Sequence, residues 1–242
     1  MSSSEMRLEN INNLAPLSSY QGSGLSTIYI TGNTDTGSLT LDGNKLSVKN
    51  TIYVNTRGLQ NLTITNQSAL EKLYVTDWYQ PDETALDASV SALSVSSCSS
   101  LKEINAYGLV SLAVSGCPAL ERLSALHFRK EGELDTIRWK GRLSSISVSG
   151  TPNLYYVEIN SAHLGGTMPS WLIAAKEQAS ARGYLTVDYP WKYEYKDWRD
   201  DGGDWQHEVM YTHSSGYYYP GEPSDPKPHP MSSQNFNDWH YQ

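Results

Sequence analysis

Basic charge is scarce in this chain of 242 residues: 18 Lys and Arg stand against 26 Asp and Glu, a net charge of -8. Counterion release at a phosphate backbone needs clustered cations, so nucleic acid is not an expected partner. Cysteine is nearly missing, at two residues in all, which excludes a disulfide scaffold. No run of about 18 apolar residues occurs, and the N-terminal MSSSEMRLENINNLAPLSSYQG lacks the apolar stretch of a secretory signal. Membrane insertion is therefore not expected. Retention where the chain is made, a mature fragment, or release by a route such as phage lysis all stay open. The six His, at 127, 163, 207, 213, 229 and 240, lie outside any Ser or Cys nucleophile motif, and no Gly-x-Ser-x-Gly or phosphate loop is present. No enzymatic activity and no cofactor are expected. Length is not lacking, and a chain of this size buries a core without metal or disulfide support.

What is present is a period. The shape Leu-x-x-Leu-x-Val recurs at Leu59/Leu62/Ile64, Leu70/Leu73/Val75, Val90/Leu93/Val95, Leu101/Ile104/Ala106, Leu109/Leu112/Val114, Leu120/Leu123/Ala125, Leu143/Ile146/Val148 and Leu154/Val157/Ile159. The matches pair at an offset of eleven residues (59 to 70, 90 to 101, 109 to 120, 143 to 154), while the gaps between pairs vary. A fixed internal period signals stacked coils. Each unit is expected to hold a short strand whose i and i+2 residues point inward, with the first Leu closing the turn beneath them. One coil cannot cover its own leucines, so coils must stack with parallel strands. The inserts at 78–89 and 127–135 are expected to be loops, and the alternating segments at 25–54 atypical N-terminal coils.

The strings LVSLAVSGCPALERLSA and LSSISVSGTPNLYYVEI resemble the leucine-rich repeats of Bacteroidetes surface proteins, over about residues 59–160. The resemblance implies a curved solenoid and a role in protein binding or cell adhesion, without naming a ligand. The family's Asp-Val and Asn positions are occupied here by Ala-Val or Ser-Val and by Gln, Cys or Thr.

The expected class is mainly β: a leucine-rich-repeat-like solenoid of stacked parallel short strands, a C-terminal helical cap and an irregular aromatic tail. Its divisions are a lead-in at 1–22, the solenoid at 23–165, a helix–strand cap at 166–189 and the tail at 190–242. In the cap, Pro169 suits a first turn, Thr167 or Ser170 can cap, and Leu172, Ala175 and Ala179 share a face until Gly183. The tail holds twelve aromatics and nine acidic residues, yet Val209 is its one Val, Ile or Leu, so no aliphatic core is expected there.

The register also selects what faces outward. The first arm presents Thr63, Thr65, Ser94, Ser96, Ala113, Ser115, Ser147 and Ser149, a flat uncharged surface. The second presents Lys72, Tyr74, Glu103, Asn105, Arg122, Ser124, Tyr156 and Glu158. Tyr and Arg supply much of the energy at protein interfaces, which makes Tyr74, Asn105, Arg122, Tyr156 and Glu158 candidate ligand residues, although polar residues on an exposed strand need no ligand. In the tail, Tyr193, Tyr195, Trp198 and Trp205 are candidates for sugar stacking or for fastening the tail to its own domain. DWRDDGGDW contributes Asp200, Asp201 and Asp204 as a Ca²⁺ candidate whose spacing does not match an EF-hand, beside the reading of a solvated turn. Cys98 and Cys117 share one repeat position with Gln67 and Thr151. They are expected as stacked structural residues, their Cα atoms within the roughly 4.4–6.8 Å that a disulfide needs. The expected function is a non-enzymatic binding or adhesion module for a protein or glycan; the alternative is a structural protein, a subunit contacting its neighbours in an assembly such as a phage virion or tail.

Overall fold

A computed structural model describes residues 4–33, 37–56, 58–75, 90–106, 108–125, 128–131, 136–141, 143–159, 169–182, 185–189, 192–199, 205–212 and 217–221. In chain order the first strands are β1 (Glu5–Glu9), β2 (Gly22–Asn33), β3 (Ser38–Asp42), β4 (Leu46–Thr56), β5 (Leu59–Thr65), β6 (Lys72–Val75), β7 (Val90–Ser96), β8 (Glu103–Ala106), β9 (Ser111–Ser115) and β10 (Arg122–Ala125). There follow β11 (Phe128–Glu131), β12 (Thr136–Gly141), β13 (Ser145–Ser149), β14 (Tyr156–Ile159), the helix α1 (Ser170–Ala181), β15 (Leu185–Tyr189), β16 (Lys192–Arg199), β17 (Trp205–Thr212) and β18 (Tyr217–Gly221). The molecule is mainly β and is built on two parallel sheets. One has seven strands in the order β1-β2-β4-β6-β8-β10-β14, the other five in the order β13-β9-β7-β5-β3. From β2 to β10 the chain alternates between the two sheets, one strand in each.

The eleven-residue offset has a physical cause at the corner between the sheets. After β5, β7, β9 and β13 of the five-stranded sheet, Asn66, Ser97, Gly116 and Gly150 respectively take positive φ, between 55° and 64°. Their stacking continues the ladder: Asn66 N–H donates to the Ser96 carbonyl (3.1 Å), Ser97 N–H to Ser115 (3.0 Å) and Gly116 N–H to Ser149 (3.1 Å). A four-residue turn follows in every case, closed by N–H donation from Leu70 to the Gln67 carbonyl, Leu101 to Cys98, Leu120 to Cys117 and Leu154 to Thr151. Pro118 and Pro152 stand second in two of these turns, where a fixed φ near -65° fits. The leucine that ends the turn begins the inward run of the next strand. Of the repeat positions with described side chains, Ile146 is half-buried and the others are buried. Each buried Leu, Ile or Val contributes about 1.5–3 kcal/mol, so stacking, not local propensity, supplies the stability.

Gln67 is the polar member of the buried column. Its side-chain oxygen accepts from Val48 N–H at 3.0 Å, and its amide donates to the carbonyls of Leu46 at 2.8 Å and Leu41 at 3.4 Å. It thereby satisfies backbone groups at the tight β3–β4 corner, where the chain skips the longer turn used by later repeats.

Both ends are covered. Leu14 is buried, the short 3-10 turn Ala15–Ser19 packs on β3, and Ser18 Oγ accepts from Thr40 N–H at 3.1 Å. At the other end α1 touches β14 with Leu172, Ala175 and Ala179 buried, as its spacing predicts. Arg182 fastens the helix end to the last corner through the Asn153 carbonyl (3.2 Å) and the Tyr155 ring (4.1 Å).

Four expectations need correction. The lead-in at 1–22 contributes β1, which pairs in parallel with β2 from Glu5 to Glu9; the alternation in EMRLE carries that strand. The insert at 127–135 is not simply a loop, because β11 pairs antiparallel with β12, whereas 78–89 lies outside the described residues. The tail is not wholly irregular: β16 joins β12 on one side and β17 on the other, and β18 pairs with β15. Aromatic residues build these strands without an aliphatic core: in KYEYKDWR, Tyr193 and Tyr195 alternate and Trp198 follows, and both residue types are strong strand formers. The helix N-cap is Pro169, without a side-chain cap bond; Thr167 lies outside the described residues and Ser170 is already helical.

Gly150→Ala is expected to lose more stability than Gly116→Ala by chemical denaturation. Both need positive φ, but a Cβ at 150 would lie 2.9 Å from Gly116 N, against 3.6 Å from Ser97 N for a Cβ at 116. Ser97→Gly should gain about 0.5–1 kcal/mol by relieving a left-handed non-glycine residue. Gln67→Leu, which strands buried backbone groups, should lose about 2–4 kcal/mol.

Candidate functional site

Strict register turns single residues into columns. On the seven-stranded sheet one register column runs Arg7, Tyr29, Tyr53, Tyr74, Asn105, Ser124, Glu158, facing outward from Arg7 to Asn105, and its neighbour runs Glu5, Thr27, Thr51, Lys72, Glu103, Arg122, Tyr156. The three tyrosines occupy adjacent parallel strands and are half-buried. The Tyr29 and Tyr53 rings are tilted by 50° with centroids 6.0 Å apart. The Arg7 guanidinium lies over Tyr29 at 4.2 Å, in the geometry of a cation–π contact. Around the tyrosines stand Thr27, Thr31, Thr51 and Asn55, so the outward residues of β2 and β4 between Thr27 and Asn55, with Tyr74 on β6, form an uncharged patch bounded by charge that begins at Lys72.

The charges bind one another. Lys72 Nζ lies 4.0 Å from Glu103, Asn105 donates to Glu103 at 2.6 Å, Lys102 lies 3.3 Å from Glu71 at the corner, and Arg122 covers the Tyr156 ring at 4.4 Å. Such exposed pairs contribute little stability. Their consequence is a border of charged residues, each in contact with a neighbour, beside a central uncharged surface. Burial pushes the Tyr74 hydroxyl above the ordinary tyrosine range, and the Glu103 carboxylate adds to the shift while Lys72 opposes it.

The structure thus brings Tyr74, Asn105, Arg122 and Tyr156 to one face and puts Glu158 in the same register. Ser124, expected outward, is buried at 3% exposure. Tyr193, Tyr195, Trp198 and Trp205 belong instead to the antiparallel sheet, where Tyr193 is opposite Tyr211, Tyr195 opposite Val209, Trp198 opposite Gln206 and Trp205 opposite Arg199. Asp200, Asp201 and Asp204 lie outside the described residues. Tyr29, Tyr53 and Arg7 were missed. Their signal was legible as an aromatic between two aliphatics in TIYI, TIYV and KLYV, but the first two strings lack the leading leucine that defined the alignment.

The five-stranded sheet presents the expected small side chains. Asn61, Thr63, Ala92, Ser94, Ser111, Ala113, Ser145 and Ser147 help line a shallow groove of about 240 Å³. Cys98 and Cys117 are buried free thiols, donating to the Ser96 and Ser115 carbonyls at 3.3 and 3.5 Å. Among the described residues no three His, Cys, Asp or Glu gather as a metal site, and no helix is long and apolar enough to cross a membrane. No family model, curated protein or solved structure matches this chain.

Tyrosinate absorbance in an alkaline titration tests the face. Subtracting Tyr74→Phe from wild type should isolate a tyrosine ionising above the usual value near 10, and Glu103→Gln should move it back down. Because the folded state keeps this proton longer than the unfolded one, the associated stability is complete below about pH 10 and is lost as pH rises through the folded pKa.

Proposed function

We propose that the two parallel sheets are the sides of a leucine-rich-repeat-like solenoid, and that the chain is a non-enzymatic binding module taking a protein or glycan ligand on its seven-stranded face. The observation that carries this reading is the in-register column Tyr29, Tyr53 and Tyr74 inside an uncharged patch edged by Arg7, Lys72, Glu103 and Arg122. Interface cores are depleted of charge and enriched in Tyr, with a polar rim, and desolvating Thr and Tyr costs less than desolvating ions.

Size narrows the ligand. Seven strands span about 30 Å and three to four strand residues about 12 Å, or roughly 350 Å². That is under half of the approximately 800 Å² that each partner buries in a standard interface. A narrow ligand, one extended peptide or glycan chain laid along the column, fits this face; a globular partner must engage the border as well.

A second reading, a structural subunit of a larger assembly, draws on the five-stranded face, whose small side chains allow close approach of a neighbour.

Screening the whole chain against an immobilised polysaccharide array and a displayed peptide library tests the first reading. Binders are expected whose affinity falls at least tenfold in Tyr53→Ser and Tyr74→Ser and holds in Lys49→Ala. Binders indifferent to the tyrosines, or none in either screen, would sink it. Concentration-dependent self-association abolished by Ala113→Arg but not by Tyr53→Ser would favour the assembly reading.

A further inference from the structure

Cys98 and Cys117 occupy the same position of successive corners. Ser96 and Ser115 are register partners on β7 and β9, the next residues are linked by the Ser97 N–H bond to the Ser115 carbonyl, and the two cysteines come immediately after that linked step. Both thiols are buried, and each donates to the carbonyl two residues before it, Cys98 to Ser96 and Cys117 to Ser115. Parallel neighbours about 4.8 Å apart fall inside the Cα separation a disulfide spans, about 4.4–6.8 Å. Both thiols start the same closed turn, Cys98 to Leu101 and Cys117 to Leu120, so neither backbone must change course for the sulfurs to join. No third metal-ligating side chain accompanies them among the described residues, which leaves thiol oxidation as the chemistry of the pair.

We propose that Cys98 and Cys117 form an oxidisable pair that a small disulfide oxidant converts to an intramolecular disulfide, stapling two successive corners of the parallel stack. One cysteine, as thiolate, attacks the oxidant RSSR, forming a mixed disulfide and releasing RS⁻. The second loses its proton and attacks the protein sulfur of that mixed disulfide, forming the Cys98–Cys117 bond and releasing the second RS⁻. The two protons end on the two RS⁻ groups, so two protein thiols are oxidised and one RSSR is reduced to two RSH. Cys117 is the better first nucleophile. The neighbouring Cys98 thiol holds Cys117 below the ordinary cysteine value, while the neighbouring Cys117 and burial hold Cys98 above it. The flanking Ser97, Ser99, Gly116 and Pro118 are exposed, so opening a single turn admits the oxidant. The bond ties the corner leading to β8 to the corner leading to β10, the strands that carry Glu103, Asn105 and Arg122.

The test incubates the whole chain with glutathione disulfide and reads intact mass, free thiols in denaturant and thermal melting. The expected product is a monomer lighter by two hydrogen atoms, without glutathione adduct and without titratable thiol. It should melt several degrees higher than the reduced chain and revert with dithiothreitol. Cys98→Ser and Cys117→Ser should each stop at the glutathione adduct; the wild-type mass and thiol count decide the matter even if neither variant folds. A stable adduct on wild type, disulfide-linked dimers, or retention of both thiols under conditions that oxidise the urea-unfolded chain would overturn the proposal.

Discussion

The structure depends on one constraint, the in-register continuation of backbone hydrogen bonds around the corner that follows each strand of the five-stranded sheet. There the N–H of Gly43, Asn66, Ser97 or Gly116 meets the last carbonyl of the next strand in the stack, and from β5 onward the residue after the strand takes positive φ as the chain enters the longer turn. A slip of one residue would reverse the side-chain alternation and place Leu62 and Ile64 in water with Thr63 inside. Asn66, Ser97, Gly116 and Gly150 therefore determine more than a turn. They decide which residues of every subsequent strand are core and which are surface.

Once register is strict, like residues at like positions become continuous columns. Inward, the columns are leucine and valine, interrupted by Gln67 where the tight β3–β4 corner needs three backbone groups satisfied. Outward, the two sheets diverge. The five-stranded sheet carries short, uncharged side chains that line a shallow groove. The seven-stranded sheet carries Tyr on three adjacent strands and charged residues from β6 onward, where Lys72 pairs with Glu103, Asn105 donates to Glu103 and Arg122 lies over the Tyr156 ring. An uncharged aromatic area beside a charged border is thus a product of stacking. No single repeat contains it.

Much of the parallel architecture was legible because its signal is a hydrophobic period. The leading residues of all eight matches, Leu59 through Leu154, are buried as the period requires, and the helix stood out by its Leu172, Ala175 and Ala179 spacing. What was not legible shares a cause. β1 and β2 belong to the seven-stranded sheet but lack the leading leucine, because the chain arrives there without the four-residue turn that this leucine closes. Tyr29 and Tyr53 fell outside the alignment for the same reason, and only Tyr74 was read as a surface candidate. In the tail, pairing between β12 and β16 joins residues about sixty apart in sequence, and a separation of that kind leaves no local period. Gln67 was assigned to the correct column, but its role was not, since its partners on β3 and β4 are visible only in three dimensions.

The N-terminal end shows how one residue answers two demands. Stacked parallel sheets expose an unpaired edge at each end, and such an edge invites pairing with another chain. On the five-stranded sheet the 3-10 turn and the Ser18 hydroxyl occupy the edge at β3; at the far end of the other sheet α1 lies against β14. On β1 the outward residues are Glu5, Arg7 and Glu9, with Arg7 3.3 Å from Glu5 and 3.9 Å from Glu9. Alternating charge on a short edge strand discourages addition of a further strand. The same Arg7 places its guanidinium on Tyr29 and so closes one end of the tyrosine column. Guarding the edge and bordering the aromatic patch make the same request of this position, a long cation held flat against the sheet. Lys would guard the edge as well but would lose the planar stacking that shapes the patch.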